Sequence, residues 1–397
     1  KGAAVDRANK WGETPLYVAC NQGHVDAARL LLDKGAEVDR ARKCGIWYWR
    51  TPLWIACEEN HIDVARLLLN KGAEVDKANE WGGTPLFIAC ENGHVDAARL
   101  LLEKGAEVDR ANKWGERPLS IAKRKGHSSI VALLEKHLFP IHAALTTGDV
   151  AAMTQLLDGG AEVDAKKDGA TPLFVACQGG HVDAARLLLE KGAKVDWARE
   201  GGKTLLFIAC ENGSVDVARL LLDNGAEVDR ANRNGATPLW IACQEGHFDM
   251  AGLLLDKGAE VDRANQNGAT PLYVACQNGH VAAARLLLEN GAEVDRAKGN
   301  GATPLYIACQ KGHVDVARLL LENGAEVDLA SEKGATPLFI ACHKGHVDAA
   351  RLMLDKGAEV DRADKLGRTP LDAAKHFHHE AVVALLEEHY TAKFPLH

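Results

Sequence analysis

The sequence predicts an all-α solenoid, in which short antiparallel helix pairs stack in a row and send out protruding, hairpin-like arms. Three observations carry this expectation. A 33-residue pattern recurs along almost all of the 397 residues. Its phase is marked by Pro15, Pro52, Pro85, Pro118, Pro140, Pro172, Pro238, Pro271, Pro304, Pro337 and Pro370, with Leu205 in the same place, which makes twelve copies. The apolar face of one copy is too small to bury itself, so neighbouring copies must stack.

Each element can be justified on the unit Gly301 to Lys333. Thr303 is an N-cap residue, and Pro304 stands at the first helical position, where its missing N–H costs nothing. The first helix runs from Leu305 to about Gln310 and ends at Gly312. A second helix covers about Val314 to Leu321. Val314, Val316, Ala317, Leu319, Leu320 and Leu321 supply its apolar side, while Asp315, Arg318 and Glu322 form a polar stripe. Gly324 stops it as a C′ glycine. Ala325 to Lys333 then forms an extended arm with a tight turn near the next glycine.

Read together, Thr-Pro-Leu, Gly-His and the Leu-Leu-Leu…Gly-Ala-Glu-Val-Asp run resemble the ankyrin repeat, over nearly the whole chain. The resemblance implies an ankyrin-repeat solenoid whose arm tips and concave face hold a protein partner. One departure is steady. The family usually has His after Thr-Pro-Leu, whereas this chain has Tyr17, Trp54, Phe87, Phe174, Phe207, Trp240, Tyr273, Tyr306 and Phe339, and only His142 keeps the imidazole. Aromatic packing is expected to replace an inter-repeat hydrogen bond there.

Along the chain, the second copy carries four extra residues within Ile46-Trp47-Tyr48-Trp49-Arg50, expected to bulge between arm and helix. The fourth copy reads like an end unit, with Lys123 where a cysteine is usual. Pro118 and Pro140 are 22 residues apart, so an arm is missing between them. Two arrays are therefore expected, 1–138 and 139–397, against the alternative of one continuous stack with a deleted arm. The eighth proline position, at Pro238, follows a worn copy in which Leu205 replaces Pro and Ser214 replaces the Gly-His histidine. The twelfth copy again reads like an end. The tail Phe394-Pro395-Leu396-His397 echoes Phe139-Pro140-Ile141-His142, as if a further array followed.

Composition excludes several function classes. The net charge is −8, which argues against a nucleic-acid surface. Without a run of eighteen apolar residues, no membrane insertion is expected. Nine of the ten cysteines share one repeat position, where stacked helices about 8–10 Å apart hold same-position thiols beyond disulfide reach. Such reduced thiols suit an intracellular, cytoplasmic setting. No Cys-x-x-Cys pair suggests a metal. No cofactor is expected.

The candidate partner-binding residues fall into two groups. Trp11, Trp81 and Trp114 stand just before the turn glycine of their arms, and Trp47, Tyr48 and Trp49 lie in the insertion. Exposed indoles are frequent binding anchors, although packing on one another along the arms would also explain them. Glu58, Glu59, Glu91, Asn92, Gln244, Glu245, Gln277 and Asn278 line the expected concave face, where a merely solvated rim is the competing account. The Gly-His histidines are too strictly phased for a catalytic group and read as turn residues. His376, His378, His379 and His389 are the one candidate metal set. The repeated Glu-Val-Asp-Arg arms predict a ladder of surface ion pairs. The leading reading is a non-enzymatic scaffold for a protein partner. The alternative is a structural spacer within a longer multi-array polypeptide or large assembly.

Overall fold

A computed structural model describes residues 5–43 and 49–393. Twenty-four α-helices are found among the described residues, and the chain divides into two compact units, residues 1–147 and 148–397. Within each unit the helices pair, one pair per repeat, and first helices stack on first helices while second helices stack on second helices.

The local rules hold repeat after repeat. In the unit used above, Thr303 accepts the N–H of Tyr306 on its side chain, and the helix Pro304–Lys311 ends at Gly312 with φ 76°. The second helix spans Val314–Glu322. It closes with two bonds, Gly324 N–H to the Leu321 carbonyl at 3.2 Å and Ala325 N–H to the Leu320 carbonyl at 3.0 Å, the pattern of a Schellman stop at a left-handed glycine. The Thr-Pro cap works without its proline as well: Thr204 caps Leu205–Glu211 through the N–H of Phe207.

The core is a thin repeated layer of leucine, alanine and cysteine. All nine described cysteines are buried free thiols. Burial alone pushes the Cys57 and Cys90 thiols up to about 12, so they behave as small apolar groups rather than nucleophiles. Cys44 lies outside the described residues. Val18 and Leu30 of the first repeat are exposed, although their counterparts Ile55 and Leu67 are buried against a neighbouring repeat.

One expectation is corrected. The aromatic residue after Thr-Pro-Leu does not always give up the inter-repeat bond: Trp54 Nε1 donates to the Gly83 carbonyl at 3.1 Å and Trp240 Nε1 to the Ala269 carbonyl at 3.0 Å. The arms carry the expected surface ion pairs, which recur within successive arms, and a backbone bond is added from arm to arm. Arg263 pairs with Glu260 of its own arm at 3.3 Å, whereas Asp229 accepts the backbone N–H of Glu260 from the next arm at 3.0 Å. The same aspartate-to-amide bond recurs at Asp262 with Glu293 and at Asp295 with Glu326, both 2.9 Å. The expected bulge falls on residues 44–48, outside the described residues; beside them runs a short antiparallel ladder, β1 (Arg42–Lys43) with β2 (Trp49–Arg50), in register Arg42 opposite Arg50.

Candidate functional site

The first unit gathers half of its predicted residues into one cleft, and the arm chemistry explains how. In the third and fourth arms an asparagine folds the tip back on itself. Asn79 Oδ1 accepts the N–H groups of Trp81 and Gly83 at 3.0 and 2.8 Å. Asn112 Oδ1 accepts those of Trp114 and Glu116 at 3.0 and 2.9 Å. The two tips are then tied by Lys113 N–H to the Trp81 carbonyl at 2.8 Å. With both tips held, the indoles of Trp81 and Trp114 stack, centroids 5.3 Å apart and planes 23° from parallel. The two tryptophans occupy the same repeat position but differ in role: Trp81 is half-buried, while Trp114 is 65% exposed.

Facing this aromatic wall are the ends of two first helices, Pro52–Glu58 and Pro85–Asn92. They bring Glu58 and Glu91 into a cleft of about 350 Å³ together with Arg50, Trp54, Trp81 and Trp114. Arg50 Nη1 pairs with Glu58 Oε2 at 2.7 Å, and its guanidinium lies 4.3 Å from the centroid of Trp54. Burial raises the Glu58 carboxyl above its ordinary range, and Arg50 partly opposes this while Glu59 and Glu91 add to it. An aromatic wall beside two carboxylates is suited to a cationic side chain, through cation–π attraction and charge-assisted hydrogen bonds.

The other predicted residues fall elsewhere. Trp47 and Tyr48 lie outside the described residues. Trp49 is 54% exposed on β2, where its backbone N–H donates to the Glu80 carboxylate. Trp11 is 51% exposed, with Lys10 Nζ 4.7 Å from its ring centroid, and is not part of the cleft. Glu59 and Glu245 are exposed on the rim. Asn92 lines the cleft but also donates to the Glu58 carbonyl at 3.3 Å. In the second unit Asn278 does the same toward Gln244 at 2.9 Å, and Gln244 donates to Glu245 at 2.8 Å. Gln277 borders a separate opening.

Two functional features are not apparent from residue type alone. Arg50 and Trp54 complete the cleft, and the only hint is that Arg50 immediately precedes the capping Thr51. The Gly-His histidines do more than turn the chain. His94 Nε2 meets the Glu58 carbonyl at 2.9 Å, and His127 Nε2 meets that of Glu91 at 3.0 Å, each 36 residues upstream. His61, His247, His280, His313 and His346 clasp the preceding repeat in the same way, and the clasps by His94 and His127 fix the helix ends on which Glu58 and Glu91 stand. Among the described residues no group of three or more His, Cys, Asp or Glu could hold a metal. His376 and His343 instead pack against Phe377, with centroids 4.8 and 4.3 Å away.

A family model for ankyrin repeats matches residues 1–79, 71–138, 134–197, 193–265, 259–331 and 324–394. The chain belongs to the ankyrin-repeat family. Ankyrin repeats are generally protein-interaction modules and typically non-enzymatic, and the cleft described above uses arm tips and helix ends of two successive ankyrin repeats. Among solved structures, the human ASB11 ankyrin repeat domain is similar with a TM-score of 0.52 and 32% identity, covering 55% of this chain and 98% of that one. Among curated proteins, the ankyrin repeat, SAM and basic leucine zipper domain-containing protein 1 of Equus caballus is 45% identical over 58 residues. Its counterpart in Neofelis nebulosa is 40% identical over 58 residues. The stretch matched is 14% of this chain and 12% of either relative. No described helix is long and apolar enough to cross a membrane.

Proposed function

We propose that this chain is a non-enzymatic scaffold that holds a protein partner, and that the first-unit cleft grips a cationic side chain of that partner between Trp114 and the carboxylates of Glu58 and Glu91. The rim residues Trp11, Trp49, Glu59 and Asn92 extend this surface, and in the second unit the proposed contacts are Gln244, Glu245, Gln277 and Asn278. The observation that carries the reading is Trp114: its ring is largely exposed yet held in place by a stack and a hydrogen-bonded tip, over two carboxylates. A rigid, exposed indole loses little freedom on binding and is the kind of residue that dominates interfaces. The buried thiols support an intracellular, cytoplasmic location.

The test uses the full chain, its W114A variant and an E58Q/E91Q variant, in partner capture from native extract beside thermal melting. Removing one side of an aromatic pair is expected to cost stability by only about 0.5–1.5 kcal/mol, and removing a hot-spot ring to cost binding about 2 kcal/mol or more. Capture should fall sharply in both variants. Undiminished capture by both would remove the cleft from the partner surface.

A further inference from the structure

The concave surface of the second unit changes its chemistry toward the later repeats. At the sixth residue after the repeat proline position, Glu58, Glu91 and Glu211 carry carboxylates, whereas Gln277, Gln310 and His343 are neutral in three successive repeats. At the next residue Lys311 and Lys344 appear, where Glu59 and Glu245 stand in other repeats. The exchange removes the usual counter-ions. Two of the three carboxylates pair with a base ahead of the capping threonine, Arg50 with Glu58 at 2.7 Å and Lys203 with Glu211 at 2.8 Å. Among the described residues, Lys298, Lys311 and Lys344 have no such partner. The three ammonium groups border one opening of about 510 Å³, with Tyr273, Gln277 and Asn300 and no carboxylate in its lining. Lys298 Nζ lies 5.7 Å from the centroid of Tyr273. In a chain of net charge −8, a groove with three unpaired cations and no acid stands against the background.

We propose that this groove binds an extended, acidic segment of a partner protein whose carboxylates are spaced three residues apart. The spacing follows from the repeat. Lys311 and Lys344 hold the same position in successive repeats, so they are separated by one helix-packing distance, about 8–10 Å. A polyproline-type strand climbs about 9 Å in three residues and returns to the same side. Carboxylates at i and i+3 of such a strand meet the two lysines in turn. Gln277 and Asn300 offer amide donors to its backbone carbonyls, and Tyr273 offers an apolar floor. This surface does not depend on the first-unit cleft, whose acidic lining selects the opposite charge.

The experiment is fluorescence anisotropy on the full chain with a labelled peptide of three Glu-Pro-Pro units. Controls are the Gln-Pro-Pro peptide, a peptide with glutamates two residues apart, and a labelled oligothymidylate. The Glu-Pro-Pro peptide is expected to bind at least about tenfold more tightly than either control peptide, and K311E/K344E to weaken it by about tenfold or more. K356E, at the end of the second helix Val347–Asp355, should leave binding unchanged. The milder K311Q/K344Q variant, checked for an unaltered melting temperature, should also weaken binding. Equal binding by folded K311Q/K344Q, equal binding of the glutamine peptide, or tighter binding of the oligothymidylate would each overturn the proposal, the last by assigning the groove to polyanions in general.

Discussion

Glycine and histidine travel together in this chain because each makes room for the other across a repeat interface. Gly279 has φ +79°, and a Cβ placed there would come within 2.8 Å of His313 Nδ1 in the following repeat. Glycine gives the left-handed backbone and the space without strain, although Asn60 takes the same place with φ 59° and His94 still reaches the Glu58 carbonyl. His313 then reaches Gln277 with Nε2 at 3.1 Å. The clasp is missing where Ser214 takes the histidine position, and a Cβ on Gly180 would find its Oγ at 3.7 Å. The acceptor, the Gln178 carbonyl, is still in place and takes Asn212 Nδ2 at 3.2 Å. Ser214→His should therefore stabilise the chain by about 1 kcal/mol, one net hydrogen bond, read as a higher denaturant midpoint. A lower midpoint would show that the clasp is not portable.

The elements themselves were largely legible in the sequence, since Thr-Pro starts, Gly stops and apolar spacing act within a few residues. What crosses from one repeat to the next was not. The Asp229 to Glu260 amide bond leaves no side-chain signature on the acceptor's partner, and the difference between Trp81 and Trp114 depends on which ring lies above which. The cleft was half legible: its indoles and carboxylates stand at marked positions, whereas Arg50 and Trp54 join it only through folding. The last helix pair shows how an element end acquires its own pH response. His343 is packed between Phe339 and Phe377, and His379 Nε2 meets its carbonyl at 3.1 Å. Burial lowers the His343 pKa from 6.5, and the charges of Lys344, Arg368, His379 and His376 lower it further. The unfolded chain thus takes up a proton on His343 more readily than the folded one. This contribution to stability is fully present above pH about 6.5 and is lost as pH falls from there toward the lower folded value. Hydrogen exchange in the helices Pro370–His376 and Glu380–Lys393 is expected to quicken below that pH, and His343→Gln, the residue type of the two preceding repeats, should flatten the dependence. An unchanged profile in His343→Gln would assign the response to another group.

At the scale of the molecule, stability is a sum of repeat and nearest-neighbour terms, so the place where an arm is missing matters most. The helix Ser128–Leu138 leads directly into Pro140–Thr147. Two repeats carry the same terminal signature. Lys123, standing for the usual cysteine, pairs with Glu135 at 3.0 Å, and Lys375, at the same position of the last repeat, pairs with Glu387 at 2.9 Å. An outer face made of such pairs keeps a stack soluble where no further repeat covers it. We propose on this ground that the chain consists of two arrays, 1–138 and 139–397. Each fragment is expected to show the helical circular dichroism and cooperative melting of a folded stack. Two unfolded fragments, beside a single sharp transition of the whole chain, would contradict the proposal.

The clasps have a consequence for how such a chain changes over generations. The regular units from Pro238 to Pro337 each carry the glycine that receives the next histidine, the carbonyl that the next histidine seeks, and their own histidine for the unit before. Both halves of the lock are encoded within each of these 33-residue periods. A duplication or deletion of one whole period within this run at the level of the gene therefore regenerates a matched interface. Array length can drift by integral steps without a compensating mutation, while a change of any other length, such as the missing arm after Leu138, leaves a lasting scar in the register.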